Sequence, residues 1–95
     1  MNQLVLSARI AEAQALRYTP ADIPAIDLRL EHESEVQEAG LNRQVKMELK
    51  AVAFGTTAET LARQPIGSGL RFSGFLAAPR GGKHPVLHIQ SFQQD

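Results

Sequence analysis

Thr56-Thr57-Ala58-Glu59-Thr60-Leu61-Ala62-Arg63-Gln64-Pro65-Ile66-Gly67 is the one stretch of this chain that reads as a helix. Thr56 or Thr57 can cap its N-terminus, Ala58, Leu61 and Ala62 have helical spacing, and Pro65 and Gly67 stop it after two or three turns. Everything around it alternates instead. Before it, Val45, Met47, Leu49 and Ala51 share one side of a strand, with Lys46, Glu48, Lys50 and Val52 on the other. After Gly69, Leu70, Phe72, Gly74 and Leu76 lie opposite Arg71, Ser73 and Phe75. Further out, Ile26, Leu28 and Leu30 alternate with Asp27, Arg29 and Glu31, and Leu4, Leu6, Ala8 and Ile10 alternate with Val5, Ser7 and Arg9. Val86 to Phe92 forms a last strand, and residues 93–95 remain as a flexible tail.

Turn chemistry separates these elements. Two prolines and an Asp make 15–24 a loop, and the Gly pair in Pro79-Arg80-Gly81-Gly82-Lys83-His84-Pro85 makes 78–85 another. The acidic run from Glu31 to Glu38, ending at Gly40, reads as a solvated connection. The element order is three strands, a short helix, then two strands. That is an all-β chain, a five-stranded OB-fold barrel with one short helix between strands 3 and 4. Gly74 fits the bulge or bend that a small barrel needs to close. An SH3-like barrel competes, but it usually lacks a helix at this point. Residues 1–95 are expected to make one domain.

Composition narrows the function classes. With 95 residues the chain can bury roughly 60–65 % of its unfolded surface, enough for one compact core. The absence of cysteine excludes disulfides, cysteine–zinc sites and thiol catalysis. No apolar run approaches the ~20 residues of a membrane span, and no basic stretch precedes the first apolar residues. A soluble, cytoplasmic domain is the expectation. Ten basic and ten acidic residues cancel, yet residues 1–38 carry −4 and residues 39–95 carry +4. Polarised charge of this kind points to separate basic and acidic faces, unless the fold interleaves the two halves.

Catalytic constellations fail. His84 and His88 have helical ligand spacing, but Pro85 lies between them, and four extended residues hold them about 13 Å apart. Gly82-Lys83 lacks the flanking residues of a phosphate loop, with Ala77 and His84 at the required places. Gly67-Ser68-Gly69 leads into a strand and is no nucleophile elbow. No enzyme activity, metal or cofactor is expected.

Binding features fare better. OB-folds hold oligonucleotides on strands two and three, between the loops joining strands 1–2 and 4–5. The first loop offers Arg17 and Tyr18, a cation beside a ring on which a base can stack. The second offers Arg80, Lys83 and His84, and strand three offers Lys46 and Lys50. If these converge, they make a basic groove for a single strand. The bland reading is that Tyr18 packs over the barrel end and the lysines are solvated strand residues. Phe75, across from the core face, reads as a contact or dimer residue.

Several segments together resemble the primosomal replication protein N (PriB) family. They are Asn2-Gln3-Leu4-Val5-Leu6-Ser7, Tyr18-Thr19-Pro20-Ala21-Asp22-Ile23-Pro24, Leu30-Glu31-His32-Glu33-Ser34, Gln37-Glu38-Ala39-Gly40, Arg43-Gln44 and Gly74-Phe75-Leu76. The likeness to bacterial single-stranded DNA-binding proteins is looser. The resemblance implies a homodimeric OB-fold that binds single-stranded DNA and helps restart stalled replication forks. Its partners would be the helicase PriA and, in some bacteria, the loader protein DnaT. It implies DNA contacts at Lys46 and at Arg80, Lys83 and His84. Better-known members have a Trp where Lys46 stands and a lysine-richer second loop, so a weaker, more electrostatic binding mode is expected here. For pairing, the first strand, with Leu4, Val5 and Leu6 apolar on both faces, is the expected edge. The rival reading is an adaptor whose Glu31–Glu38 stretch docks a basic partner. An RNA or anticodon-binding module has less in its favour.

Overall fold

The structure is a computed structural model and describes residues 1–95. It contains β1 (Leu4–Ala13), β2 (Arg17–Tyr18), β3 (Pro24–Glu38), β4 (Leu41–Phe54), α1 (Thr56–Leu61), β5 (Gly69–Ala77) and β6 (Val86–Gln94). The sheet runs β1-β5-β6-β4-β3-β2, and a further β1–β3 pairing closes the first five into a barrel. All neighbours are antiparallel except β4 and β6. This is the expected OB-fold, with the two-residue β2 added on the outside of β3.

The inward positions are those that alternation assigns. Ile10, Ile26, Leu28, Leu30, Ala51, Ala53, Leu70, Phe72, Leu87 and Ile89 form the core, with Ala58 and Leu61 of α1 packed on the same cluster. Each large apolar side chain fully buried this way contributes about 1.5–3 kcal/mol. Gly74 sits at the irregularity in the β5–β6 pairing, as anticipated. A Cβ there would collide with the backbone carbonyl of His88, so only glycine lets the two strands approach.

Several boundaries differ from the sequence reading. The 31–38 run is not a connection. It continues β3 in register with β4 from Glu31↔Glu48 to Glu38↔Leu41, and Ala39-Gly40 alone makes the turn. Both turn residues have positive φ, 54° and 78°, as a two-residue hairpin requires. Polarity misled here, because a strand outside the core needs only a partner for its backbone groups, and β4 supplies one. The resulting arm extends the molecule to 49 Å along its longest axis.

The helix is also shorter than expected, six residues or less than two turns. Gly55, with φ 70°, occupies the cap position in place of either threonine, and no side chain caps it. Thr56 and Thr57 lie inside the helix, where Thr60 Oγ1 donates back to the Thr56 carbonyl. Arg17 and Tyr18, read as loop, pair with Ala25 and Pro24. Gln93 and Gln94, read as tail, pair with Arg71 and Leu70.

The first half of β1 keeps one edge open. β1 pairs with β5 from Leu4 to Arg9, but with β3 only from Arg9 onward. At the root of the arm His32 bridges toward that edge. Its Nδ1 lies 2.6 Å from the Ser7 carbonyl, and because a carbonyl only accepts, Nδ1 carries the proton. Nε2 lies 2.7 Å from the Ser34 hydroxyl.

Candidate nucleic-acid interface

Period-2 alternation turns Lys46, Glu48, Lys50, Val52 and Phe54 of β4 to the outside of the barrel. Across from them on β3 stand Glu33, Glu31, Arg29, Asp27 and Ala25. β1 adds Arg9 and Glu12 beside Glu31 and Arg29. On this face carboxylates outnumber cations and tie most of them up. Arg9 bonds Glu31, and Arg29 reaches Glu48 at 2.9 Å, Glu31 at 3.3 Å and Glu12 at 3.4 Å. Arg17 lies 2.7 Å from Asp27, and Lys46 lies 3.9 Å from Glu33.

The titration shifts follow from these pairs. The hydrogen bond from Arg9 holds the Glu31 carboxyl below the usual carboxylate range. Asp27, chiefly by its hydrogen bond, raises the Arg17 guanidinium, and the charge of Glu48 raises Arg29. Arg43 and Arg71 are likewise paired, with Glu38 and Asp95. Of the ten basic side chains, only Lys50, Arg63, Arg80 and Lys83 have no carboxylate partner.

Two of those four, Lys50 and Lys83, line one groove, and a third lies on its loop. Lys50 on β4 faces the 78–85 loop across a groove of about 480 Å³, lined also by Glu48, Pro79, Lys83, His84 and Val86. The exposed Arg80 belongs to the same loop. Lys50 further lines a groove with Asp27 and Arg29, which leads toward Arg17. The structure therefore brings Lys50, Lys83 and His84 together, with Arg80 on their loop, while Arg17 is tied to Asp27, which lines the adjoining groove. Tyr18 is 60 % exposed and directed away from Arg17, as successive strand residues must be. Lys46 is set apart, in a groove shared with Arg9, Glu31, His32, Glu33, Glu48 and Asp95.

A feature the sequence reading missed lies next to the free cations. His88 of β6 stands beside Val52 of β4 and opposite Phe75 of β5. The Phe75 and His88 rings stack at 4.8 Å between centroids and 13° between planes. Phe54 continues the row at 6.0 Å and 29° from His88. Outward parity on each strand was legible, but the parallel β4–β6 pairing that aligns the rings was not. Phe72 and Phe92 meet each other instead on the core side of the sheet.

Known proteins bear on this arrangement. Residues 2–91 match the model of another single-strand binding protein family. Replication restart protein PriB of Bordetella pertussis is 50 % identical over 91 residues, covering 95 % of this chain and 85 % of the relative. The chain belongs to the PriB family. Its counterpart from Nitrosomonas europaea is 37 % identical over 90 residues, 94 % of this chain and 83 % of that one. The solved PriB structure from Ralstonia solanacearum superposes with a TM-score of 0.91 at 33 % identity, covering 99 % and 97 % of the two chains. The single-stranded DNA-binding domain from Synechococcus superposes at 0.76 with 22 % identity, which speaks for the shared fold. No helix is long and apolar enough to cross a membrane.

Proposed function

We propose that this chain is a non-enzymatic accessory of replication restart that holds single-stranded DNA on the face formed by Lys50 and the 78–85 loop. Membership of the PriB family supports the process. The observation that carries the site is the gathering of partnerless cations at one groove of an OB barrel. A polyanion is attracted by charge not already answered by carboxylates, and a single strand bends its phosphates into such a groove. Arg80 and Lys83 meet phosphates, Lys50 extends the path along β4, and His84 lines it. Arg17 and Tyr18 mark its far end, with a free ring for a base, and Lys46 makes at most a peripheral contact.

The partners follow from the same reading. Replication restart proteins work beside a helicase, PriA, and in some bacteria the loader DnaT. The open Leu4–Ala8 edge, with Val5 54 % exposed, suits strand pairing between two copies into a homodimer. Two copies double a short groove and raise avidity. The adaptor reading keeps one observation in its favour, the excess of carboxylates on the outer β3–β4 face, which fits a basic protein segment.

Fluorescence anisotropy of labelled oligo-dT at two salt concentrations separates the two. With two or three phosphates neutralised per subunit, log K falls against log salt with a slope of about −1.4 to −2.1 per subunit. Arg80→Ala with Lys83→Ala lowers affinity and flattens the slope. Absence of binding at low salt, with PriA still captured, selects the adaptor.

A further inference from the structure

We propose that Asp27 sets where the phosphate path ends, by holding Arg17 in the way a DNA phosphate would hold it. The inference rests on the single-strand reading above and adds a residue that limits it. Arg17 of β2 pairs with Ala25 of β3, so Asp27, two residues further along, is its diagonal neighbour on the same side of the sheet. The guanidinium meets the carboxylate with two bonds: Nε donates to Oδ2 at 2.7 Å, and Nη2 donates to Oδ1 at 3.2 Å. That fork is the one an arginine offers to two oxygens of a phosphate. Every other bond between an arginine and a carboxylate in this molecule is single. Asp27 thus occupies Arg17 as a built-in stand-in for the ligand.

Its placement suits the role. Asp27 lines the groove that holds Lys50 and Val86, and those two residues also line the groove of Lys83 and His84. A strand whose phosphates follow Lys83 and Lys50 next meets this carboxylate, and the guanidinium beside it is already taken. To go further, a phosphate must replace Asp27 on Arg17 and leave the displaced carboxylate bare next to the polyanion. Exchanging one anion for another on the same fork gains little, and the bare charge repels the strand. Both side chains are half-exposed, so burial does not lock the pair, and removing the carboxylate is enough to free the arginine. The strand itself does not depend on that carboxylate: the Asp27 backbone carbonyl accepts from the Gln14 N–H.

The test is a salt titration of labelled oligo-dT binding by the wild type, by Asp27→Asn and by Asp27→Asn combined with Arg17→Ala. Asp27→Asn keeps the size of the side chain and removes its charge. It should bind about threefold tighter or more at low salt, and its slope of log K against log salt should steepen by about 0.7 per subunit, the value for one further phosphate on a single strand. Asp27→Ser, which removes the charge by a different side chain, should behave alike. Adding Arg17→Ala should return the slope to that of the wild type. Unchanged slopes for Asp27→Asn and Asp27→Ser overturn the proposal and leave the phosphate groove standing. So does a gain that survives Arg17→Ala, because Asp27 would then act as a general negative charge and not through Arg17. If the wild type binds no oligo-dT at low salt, the single-strand reading itself fails and the role of Asp27 falls with it.

Discussion

The outer face where β1, β3 and β4 meet and the face where β4 meets the 78–85 loop draw on the same side-chain types but arrange them differently. On the first, Arg9, Arg29 and Lys46 each stand within 4 Å of a carboxylate, and Arg29 is shared among Glu12, Glu31 and Glu48. On the second, Lys50, Arg80 and Lys83 have no such neighbour. All three groups with shifted titration, Arg17, Arg29 and Glu31, belong to ion pairs of the first face. Zero net charge thus conceals one self-neutralised surface and one whose cations have no carboxylate partner. Counting charges says little about binding; counting unanswered charges says more.

The largest expected effect tests the scaffold of the second face. Gly74→Ala should lower stability by about 3 kcal/mol or more, because its Cβ must push β5 away from the His88 carbonyl. Urea denaturation reads this as a lower midpoint, and an unchanged midpoint would refute the close approach.

A smaller effect probes the first face. Glu31 is held ionised below the usual range, so its contribution to stability is fully present above the ordinary glutamate pKa of about 4.3. It is lost as pH falls through the lowered value. Glu31→Gln should therefore be less stable than wild type at pH 7, and the gap should close on acidification. Because these pairs are exposed, the gap should also shrink in high salt. A gap independent of both pH and salt would contradict an electrostatic origin.

How far the sequence alone leads depends on whether a feature is local. Alternation and one short helical stretch were enough for the barrel, since burial on one face imposes period 2 on each strand separately. Gly74 was legible for the same reason. The arm was not, because Glu31 to Glu38 holds few apolar residues and is strand only through its neighbour β4. The capping of α1 by Gly55 was hidden by two adjacent threonines with the preferred chemistry.

For the site, the loop cations were legible as residue types, and their convergence with Lys50 followed from the fold. The pairing of Arg17 with Asp27 and of Lys46 with Glu33 was not, because cross-strand partners depend on register. Ser34↔Val45 had to be known before Glu33 could be placed opposite Lys46. The aromatic row needed one more step. Phe54, Phe75 and His88 come from three strands whose order is not their order in the chain.

The central claim is that unanswered cations, rather than total cations, set the affinity for single strands. Salt titrations of oligo-dT binding by a Lys50→Ala, Arg80→Ala, Lys83→Ala variant and by Lys46→Ala test it most directly. The account predicts a slope close to zero for the triple variant, with a slope and affinity within about threefold of wild type for Lys46→Ala. A triple variant that keeps the wild-type slope, or a Lys46→Ala variant that loses it, would contradict the account.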